Sequence, residues 1–274
     1  MQSRTLAVDG IAMRWIEEGE GAPVVLVHGI PTSPALWRHV VPRISGARCL
    51  AWEMVGYGAS IAEGRGRVIS VARQADYLAA FLDALGIGKA VLAGHDIGGG
   101  VVQILAVRRP DLCAGLFLTN AVGYDSWPVP AVKALRLAGG VLRRLPPAAL
   151  KPVLATLFAR GHDDASRAKE AMRVHWLPYA GGEGPAGFVR QIRSFDVEDT
   201  LAVAGDLKRL RVPARIVWGA ADRFQKIRYG ERFARDLSAP LHPIPSGKHF
   251  TPEDHPDMVA EGIRQVLADA AGRA

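Results

Sequence analysis

Short, largely apolar runs alternate along this chain with segments whose apolar residues recur at helical spacing. The runs typical of buried strands are Pro23–His28, Arg48–Trp52, Ala90–Ala93 and Ala114–Thr119. Between the second and third of these runs, the apolar positions from Val71 to Leu85 recur every three or four residues, as on one face of a helix. Strands that are apolar on both sides and separated by helices predict an α/β fold with a mostly parallel sheet flanked by helices.

This alternation is interrupted in the second half of the chain. From 122 to 204 the pattern is helical, rich in Pro and Gly, and lacks a clear strand, whereas strands resume at Ala214–Trp218 and Leu241–Ile244. A helical stretch of roughly 80 residues is longer than any ordinary connection. Asp9-Gly10 between Leu6–Val8 and Ile11–Ile16 predicts a hairpin that adds two strands before the first run. We therefore expect a core domain formed by residues 1–121 and 205–274, with a helical insertion at 122–204 after the sixth strand.

The composition excludes several classes of protein. Of 274 residues, 49% are hydrophobic and 22% are charged, which rules out wholesale disorder. The net charge is +7, but no basic run is interleaved with the aromatic residues that single-stranded nucleic acids require. No apolar run approaches the roughly 18 residues that span a bilayer, and two cysteines form neither a disulfide framework nor a zinc site. We expect a cytoplasmic protein without a metal, nucleic-acid partner or membrane partner.

The most informative motif follows the third apolar run. In Gly94-His95-Asp96-Ile97-Gly98, an acidic residue stands between two glycines where a strand ends and a helix begins. This is the spacing of the nucleophile elbow Gly-x-Ser-x-Gly, with Asp in place of Ser. Such a sharp turn lifts the central side chain to the end of the sheet, where the N–H groups of the helix N-terminus stabilise a carboxylate. Asp96 is therefore predicted to be a nucleophile rather than an ordinary helix cap.

Three further segments come directly after predicted strands, at the edge where open α/β sheets place their sites. Their ranges are His28–Pro31, Trp218–Asp222 and Ser246–Phe250. In the first segment, the backbone N–H of Ile30 can form an oxyanion hole together with that of Ile97. The other two segments supply an acid and a base.

Asp96, Asp222 and His249 thus occur in the order nucleophile, acid and base that elbow hydrolases share. With the motifs around them, they resemble the α/β-hydrolase superfamily, in the branch with an aspartate nucleophile that includes soluble epoxide hydrolases, haloalkane dehalogenases and haloacetate dehalogenases. The motifs that carry the resemblance are His28–Pro31, Gly56–Ser60, Gly94–Gly100, Trp218–Asp222 and Gly247–Phe250. The resemblance implies an α/β-hydrolase fold whose helical insertion is a cap over the site.

An aspartate nucleophile implies a particular reaction. The Asp96 carboxylate displaces a leaving group at a saturated carbon, and water then hydrolyses the resulting alkyl ester. His249 takes the proton of this water, while Asp222 orients His249 and stabilises its imidazolium form. This scheme needs no cofactor.

The leaving group distinguishes the members of this branch. Haloalkane dehalogenases usually carry Trp directly after the nucleophile and haloacetate dehalogenases carry Arg, whereas Ile97 has no side-chain donor. Epoxide hydrolases tolerate an apolar residue there and protonate the epoxide oxygen with cap tyrosines, for which Tyr124 and Tyr179 are the candidates. We therefore expect an epoxide hydrolase that forms a vicinal diol. Hydrolytic dehalogenation remains open because His175 and Trp176 can donate hydrogen bonds, and a non-catalytic ligand-binding protein is the third alternative.

Other aromatic and loop residues near these motifs are candidate contacts for a small-molecule substrate. These candidates are His28, Pro31, His95, Trp127, His175, Trp176 and Phe250. The insertion also carries an acid-free basic stretch from Lys133 to Lys151, which we expect to be a solvated face, with attraction of acidic substrates or an anionic partner as the alternative. Whether the protein is a monomer or a homodimer stays open.

Overall fold

A single eight-stranded sheet lies at the centre of the protein, which a computed structural model describes from residue 2 to residue 273. Its strand order is β1-β2-β4-β3-β5-β6-β7-β8. The strands are β1 (Gln2–Val8), β2 (Ile11–Glu18), β3 (Ala22–Val27), β4 (Ala47–Trp52), β5 (Ala90–His95), β6 (Cys113–Thr119), β7 (Ala214–Gly219) and β8 (Leu241–Ile244). In this spatial order, all neighbouring strands from β4 through β3 to β8 are parallel to each other. Strand β2 is antiparallel to both of its neighbours, β1 and β4. The predicted mostly parallel sheet is confirmed.

Ten α-helices accompany this sheet in residues 2–273. They are α1 (Val71–Ala84), α2 (Ile97–Arg108), α3 (Pro130–Leu142), α4 (Pro147–Gly161), α5 (Ala165–His175), α6 (Gly184–Arg193), α7 (Glu198–Ala204), α8 (Ile227–Asp236), α9 (Thr251–Asp254) and α10 (Pro256–Ala271). The predicted helix at Val71–Leu85 corresponds to α1. Its start is fixed by Ser70, whose hydroxyl accepts a hydrogen bond from the N–H of Arg73, as in a helix N-cap. None of these helices combines the length and the apolar character that a membrane crossing requires.

The apolar strand runs are explained by burial on both faces of the sheet. The side chains of Val24, Val25, Leu26 and Val27 in β3 have no exposed surface, because alternate residues enter two separate hydrophobic clusters. Cys49 and Cys113 are free and buried.

The helices α3 to α7 lie between β6 and β7. Helix α3 packs against α6, α4 packs against α5, and α7 packs against α2. The division of the chain into a core and a cap at residues 122 and 204 stays a prediction.

The carboxyl ends of the parallel strands meet at one edge of the sheet. Across the neighbouring strands, Val27 is in register with Gly94, His95 with Thr119, and Gly219 with Ile244. The loops that follow these strands are therefore brought together, although they are far apart in sequence.

Candidate active site

Asp96 lies on a strained turn between β5 and α2. Its φ of 52° and ψ of −126° place a non-glycine residue in a sparsely populated region of backbone space. The flanking glycines permit this turn, since a Cβ on Gly94 would lie 2.5 Å from the carbonyl oxygen of Gly98, and one on Gly98 would lie 2.3 Å from that of Val27. The turn has the geometry that the Gly-x-Asp-x-Gly motif predicts.

The two carboxylate oxygens of Asp96 have different surroundings. The backbone N–H of Ile30 donates to Oδ2 over 3.0 Å, and the N–H of Ile97 is a second backbone donor to the same carboxylate. The other oxygen, Oδ1, lies 3.9 Å from Nε2 of His249. Burial raises the pKa of Asp96 and outweighs the opposing effects of His249 and the two N–H groups.

Asp222 and His249 form a buried pair behind this nucleophile. The Nδ1–H of His249 donates to Oδ2 of Asp222 over 2.8 Å, and the backbone N–H of Phe224 donates to Oδ1 over 2.6 Å. With the proton on Nδ1, the lone pair of Nε2 faces Asp96, as a general base requires. Burial opposes the charged imidazolium, but the carboxylates of Asp222 and Asp96 prevail and raise the pKa of His249.

Asn120 is a site residue that the sequence reasoning missed. It directly follows β6 and has a φ of 41°. Its Nδ2 donates to Oδ2 of Asp222 over 2.7 Å, and its Oδ1 accepts the N–H of Gly219 over 3.0 Å. Asn120 therefore fixes the acid against the end of β7. Its place directly after a predicted strand was the signal that could have identified it.

The loop that carries His249 is also held by the helical insertion. The carbonyl oxygen of Gly161, the last residue of α4, accepts the N–H of His249 over 2.9 Å and that of Phe250 over 3.1 Å. The insertion therefore contributes directly to the position of the imidazole.

A cavity of about 70 Å³ opens next to Asp96 and His249. That volume has room for roughly five water-sized groups. The lining residues are Ile30, Pro31, Asp96, Ile97, Val122, Trp127, Pro128, Val129, Ala131, Val132, Leu135, Leu157, Phe188, Ile192, Phe195, Phe224, Gln225, His249 and Phe250. Nearly all are apolar, and the indole N–H of Trp127 is already bonded to Oγ1 of Thr200 over 2.7 Å. Asp96, Gln225 and His249 are the remaining polar side chains among the described residues of this lining.

Gln225 is a second residue that the sequence reasoning missed. Its side chain is 2% exposed, and its Oε1 has no hydrogen-bond partner among residues 2–273. A buried amide oxygen without a hydrogen-bond partner is unfavourable and calls for a physical explanation. Its position three residues after Asp222, in the loop beyond β7, was the available signal.

The predicted substrate contacts fall into two groups. Pro31, Trp127 and Phe250 line the cavity, as do the two backbone donors Ile30 and Ile97.

His28 and His95 do not line the cavity, so the structure does not bring these two predicted substrate contacts to it. Nδ1 of His28 donates to the carbonyl of Gly29 over 2.8 Å, and Nε2 accepts the N–H of Met54 over 3.3 Å. Burial lowers the pKa of His28 to about 3, so its ring is neutral and links two backbone groups by hydrogen bonds. His95 donates from Nε2 to the carbonyl oxygen of His249 over 2.9 Å and supports the base from behind.

His175 and Trp176 are likewise outside the cavity lining, so the structure does not bring these two predicted substrate contacts to it. The imidazole of His175 lies 3.1 Å from Oε1 of Glu253 and 3.2 Å from Oγ of Ser33, so both ring nitrogens are used. Trp176 is partly exposed and stacks beneath the ammonium of Lys151, which is 5.8 Å from the ring centroid.

Neither candidate tyrosine lines the cavity, so the structure does not bring the two predicted proton donors to it. The hydroxyl of Tyr124 donates to Oδ2 of Asp236 over 3.0 Å, at the end of α8. The hydroxyl of Tyr179 donates to Oε1 of Gln191 over 2.9 Å, and burial raises the pKa of this phenol. Both hydroxyls are therefore engaged in packing contacts.

Comparisons with known proteins agree with this architecture. Residues 22–256 match the model of a family described as the alpha/beta hydrolase fold. The chain is 28% identical to a 2-hydroxymuconate semialdehyde hydrolase from Pseudomonas putida, over 97% of this chain and 94% of that protein. It is 29% identical to a haloalkane dehalogenase from Mesorhizobium japonicum, over 94% of this chain and 88% of the relative. A solved alpha/beta hydrolase fold protein from Burkholderia ambifaria superimposes with a TM-score of 0.86 at 25% identity, covering 96% of this chain and 97% of that structure.

Proposed function

The chain belongs to the alpha/beta hydrolase fold family, and we propose that it is a hydrolase that cleaves a carbon–halogen bond through an alkyl ester of Asp96. The protein is an enzyme of the hydrolase class, so the non-catalytic alternative is set aside. The choice of nucleophile, base and leaving group is argued below from the geometry of the site.

The surroundings of Asp96 support its role as the nucleophile. Oδ1 attacks a saturated carbon, the carbon–halogen electron pair departs with the halide, and an alkyl ester of Asp96 remains. His249 then removes a proton from water, which attacks the ester carbonyl carbon. The N–H groups of Ile30 and Ile97 stabilise the tetrahedral oxyanion, since Oδ2 already accepts a hydrogen bond from Ile30. Collapse breaks the bond between the carbonyl carbon and the alkoxy oxygen, which takes up one proton of the water and leaves as the alcohol. The carboxylate is restored and the second proton is released, the halide having left in the first step.

One observation carries the choice of leaving group. The described lining of the cavity contains no hydroxyl, ammonium or guanidinium group and no carboxyl other than that of Asp96. An epoxide oxygen leaves as a strongly basic alkoxide and needs a proton donor. A halide is a weak base and leaves without a proton. Since Tyr124 and Tyr179 bond elsewhere, the lining favours the halide.

Gln225 is the group we assign to the departing halide. A primary amide is neutral and supplies N–H donors, which suits an anion that forms inside an apolar cavity. Only the Nε2–H₂ group of Gln225 can fill this role, because Oε1, which has no partner within the described residues, is an acceptor and repels an anion. The small volume of the cavity restricts the organic group to a few carbon atoms.

Epoxide hydrolysis is the second candidate, favoured by Ile97. The residue after the nucleophile has no side-chain donor, unlike the Trp and Arg that the resemblance associates with dehalogenases. If the substrate is an epoxide, its oxygen has to be protonated by water or by a residue that enters the cavity on substrate binding.

Trapping the ester tests both candidates. His249→Gln retains a hydrogen-bonding side chain but removes the base, so the ester of Asp96 should accumulate. The purified variant is exposed separately to short bromoalkanes, chloroalkanes and epoxides, and its intact mass is measured. We expect a gain equal to the alkyl group without its halogen, located on Asp96 by peptide mapping. The double variant Asp96→Asn, His249→Gln is the matched control and should gain no mass.

Each other result has a definite meaning. A gain equal to a whole epoxide replaces the halide proposal with the epoxide candidate. An adduct on another residue, or one that persists in the double variant, removes Asp96 as the nucleophile. If no substrate class gives an adduct while the wild-type enzyme turns over one of them, the ester mechanism is refuted.

A further inference from the structure

The outward face of α3 is apolar, which is the reverse of the usual pattern for a helix at a protein surface. Leu137 is 90% exposed and Val141 is 67% exposed. With Ala134 before them and Leu145 just after the helix, they recur at intervals of three and four residues, so they form one stripe. No described residue covers this stripe, which we call the α3 stripe (Ala134, Leu137, Val141 and Leu145).

Positive charges surround the α3 stripe. The sequence between Asp125 and Asp163 contains no acidic residue. Its basic residues nearest the stripe are Lys133, Arg136, Arg143 and Arg144. None of these four forms an ion pair with a carboxylate in residues 2–273, whereas most arginines of the core, such as Arg38 and Arg109, are paired. Arg136 is partly buried and donates to the carbonyl oxygen of Phe195 over 3.2 Å. The exposed cations Lys133, Arg143 and Arg144 are thus the ones available to an external anionic surface.

The opposite face of the same helix reaches the catalytic cavity. Ala131, Val132 and Leu135 of α3 line it together with Asp96 and His249. One helix therefore separates the cavity from the exposed stripe by its own thickness, about 10 Å. A surface that touched the stripe would lie next to the cavity wall.

We propose that the α3 stripe and its flanking cations dock on an anionic lipid surface. Exposed aliphatic side chains that are flanked by Lys and Arg match a bilayer interface, where the side chains enter the acyl region and the cations meet the headgroups. This replaces our expectation that the protein has no membrane partner and is independent of the reaction proposed for the cavity. Small apolar organic substrates partition into bilayers, so docking would place the cavity where they are concentrated.

Two other occupants fit these observations less well. A second copy of the chain would bring the same unpaired cations face to face, in a protein whose net charge is +7. A nucleic acid would satisfy the cations, but it would leave Leu137 and Val141 without an apolar partner, since the stripe contains no aromatic residue for base stacking.

Vesicle co-sedimentation of the full-length protein tests the proposal. We expect binding to phosphatidylcholine vesicles that contain phosphatidylglycerol, weak binding to pure phosphatidylcholine, and loss of binding at high salt. Arg143→Gln, Arg144→Gln should weaken binding on the order of 30-fold, since each cation near an anionic surface contributes about a fivefold factor. Leu137→Gln, Val141→Gln should weaken it by about tenfold or more, because the inserted apolar area is lost.

A matched charge control lies at the other end of the sheet. Lys208 and Arg211 are exposed and precede β7, so they lie at the edge opposite the site. Lys208→Gln, Arg211→Gln removes the same charge and should leave vesicle binding unchanged. All substituted positions are at the surface, so retained circular dichroism and thermal unfolding confirm that the variants are folded.

Four results would overturn the proposal. The first two are no binding to vesicles that contain phosphatidylglycerol, and equal binding to vesicles of pure phosphatidylcholine. The third is that Arg143→Gln, Arg144→Gln and Lys208→Gln, Arg211→Gln weaken vesicle binding equally. The fourth is that Leu137→Gln, Val141→Gln leaves vesicle binding unchanged. In analytical ultracentrifugation, a dimer that the Leu137, Val141 pair disperses would assign the stripe to a second copy. Binding of duplex DNA that depends on Arg143 and Arg144 but not on the stripe would assign the cations to a nucleic acid.

Discussion

Replacing Gln225 by leucine is expected to make the protein more stable and a poorer hydrolase at the same time. The stability gain follows from burial, because the amide is 2% exposed and its Oε1 has no partner in the described residues. An unsatisfied buried polar group costs about 1–3 kcal/mol, and an apolar side chain of similar shape removes that penalty. We expect a gain of about 1–2 kcal/mol in the free energy of unfolding, or roughly 2–4 °C in Tm for each kcal/mol.

The activity loss follows from the proposed contact with the leaving group. A hydrogen bond to a charged group contributes about 1.5–3 kcal/mol, which corresponds to a rate factor of roughly 10 to 150. Gln225→Leu should therefore lower kcat/KM for the substrate identified by ester trapping by that factor. Urea unfolding followed by tryptophan fluorescence measures the first effect, and steady-state product release measures the second.

Gln225→Glu is the informative control for this prediction. It preserves the size of the side chain but places a carboxylate beside a departing anion, so activity should fall further than in Gln225→Leu. The buried charge should also lower stability instead of raising it. The reasoning is refuted if Gln225→Leu keeps wild-type kcat/KM, or if it unfolds at a lower urea concentration than the wild type.

Three further predictions concern the rest of the site. Burial and the neighbouring carboxylates have opposed effects on the pKa of His249, which is raised on balance. Because the neutral ring is the base, kcat should fall as the pH drops through a value above the usual pKa of about 6.5. The pH profile of kcat should show no activity loss that sets in as the pH rises. Tyr179→Phe should leave kcat within about twofold and lower stability by about 1 kcal/mol, since it leaves Oε1 of Gln191 unpaired; a large loss of kcat in the steady-state assay would restore Tyr179 as a proton donor. Gly98→Ala should abolish activity and lower Tm by several degrees in a thermal melt, because its Cβ would lie 2.3 Å from the carbonyl oxygen of Val27; a wild-type melt would contradict the tight-turn argument.

The sheet could be predicted from the sequence because its signals are local. The run Ala90–Ala93 predicted a strand that the structure extends to His95, and the glycines around Asp96 predicted the turn that follows. The positions of Asp222 and His249 could be anticipated for the same reason, since each directly follows a strand and parallel strands end at one edge. The catalytic roles of these residues stay predictions until the ester is trapped.

The contacts of the insertion could not be predicted in the same way. The sequence indicates that Tyr124 and Tyr179 are in the helical insertion, but the direction of each hydroxyl depends on a neighbour from another helix or segment. Asp236 is more than a hundred residues away from Tyr124, and Gln191 is on α6. Gln225 was missed for a related reason, because its position in the loop after β7 does not show whether the oxygen of its amide has a partner.

The two hydrogen bonds accepted by the Gly161 carbonyl limit how such an enzyme can be re-engineered or diversified. Exchanging the helices between β6 and β7 for those of a relative would be the obvious way to alter substrate preference. In this chain the exchange would also remove the acceptor that holds the backbone of His249 and Phe250. A chimera would therefore inherit a displaced base along with its new cavity wall, unless the donor sequence supplied a carbonyl at the same point. The same helical segment thus affects both which substrate the cavity accepts and how the base is positioned, so the two cannot be changed independently by exchanging it.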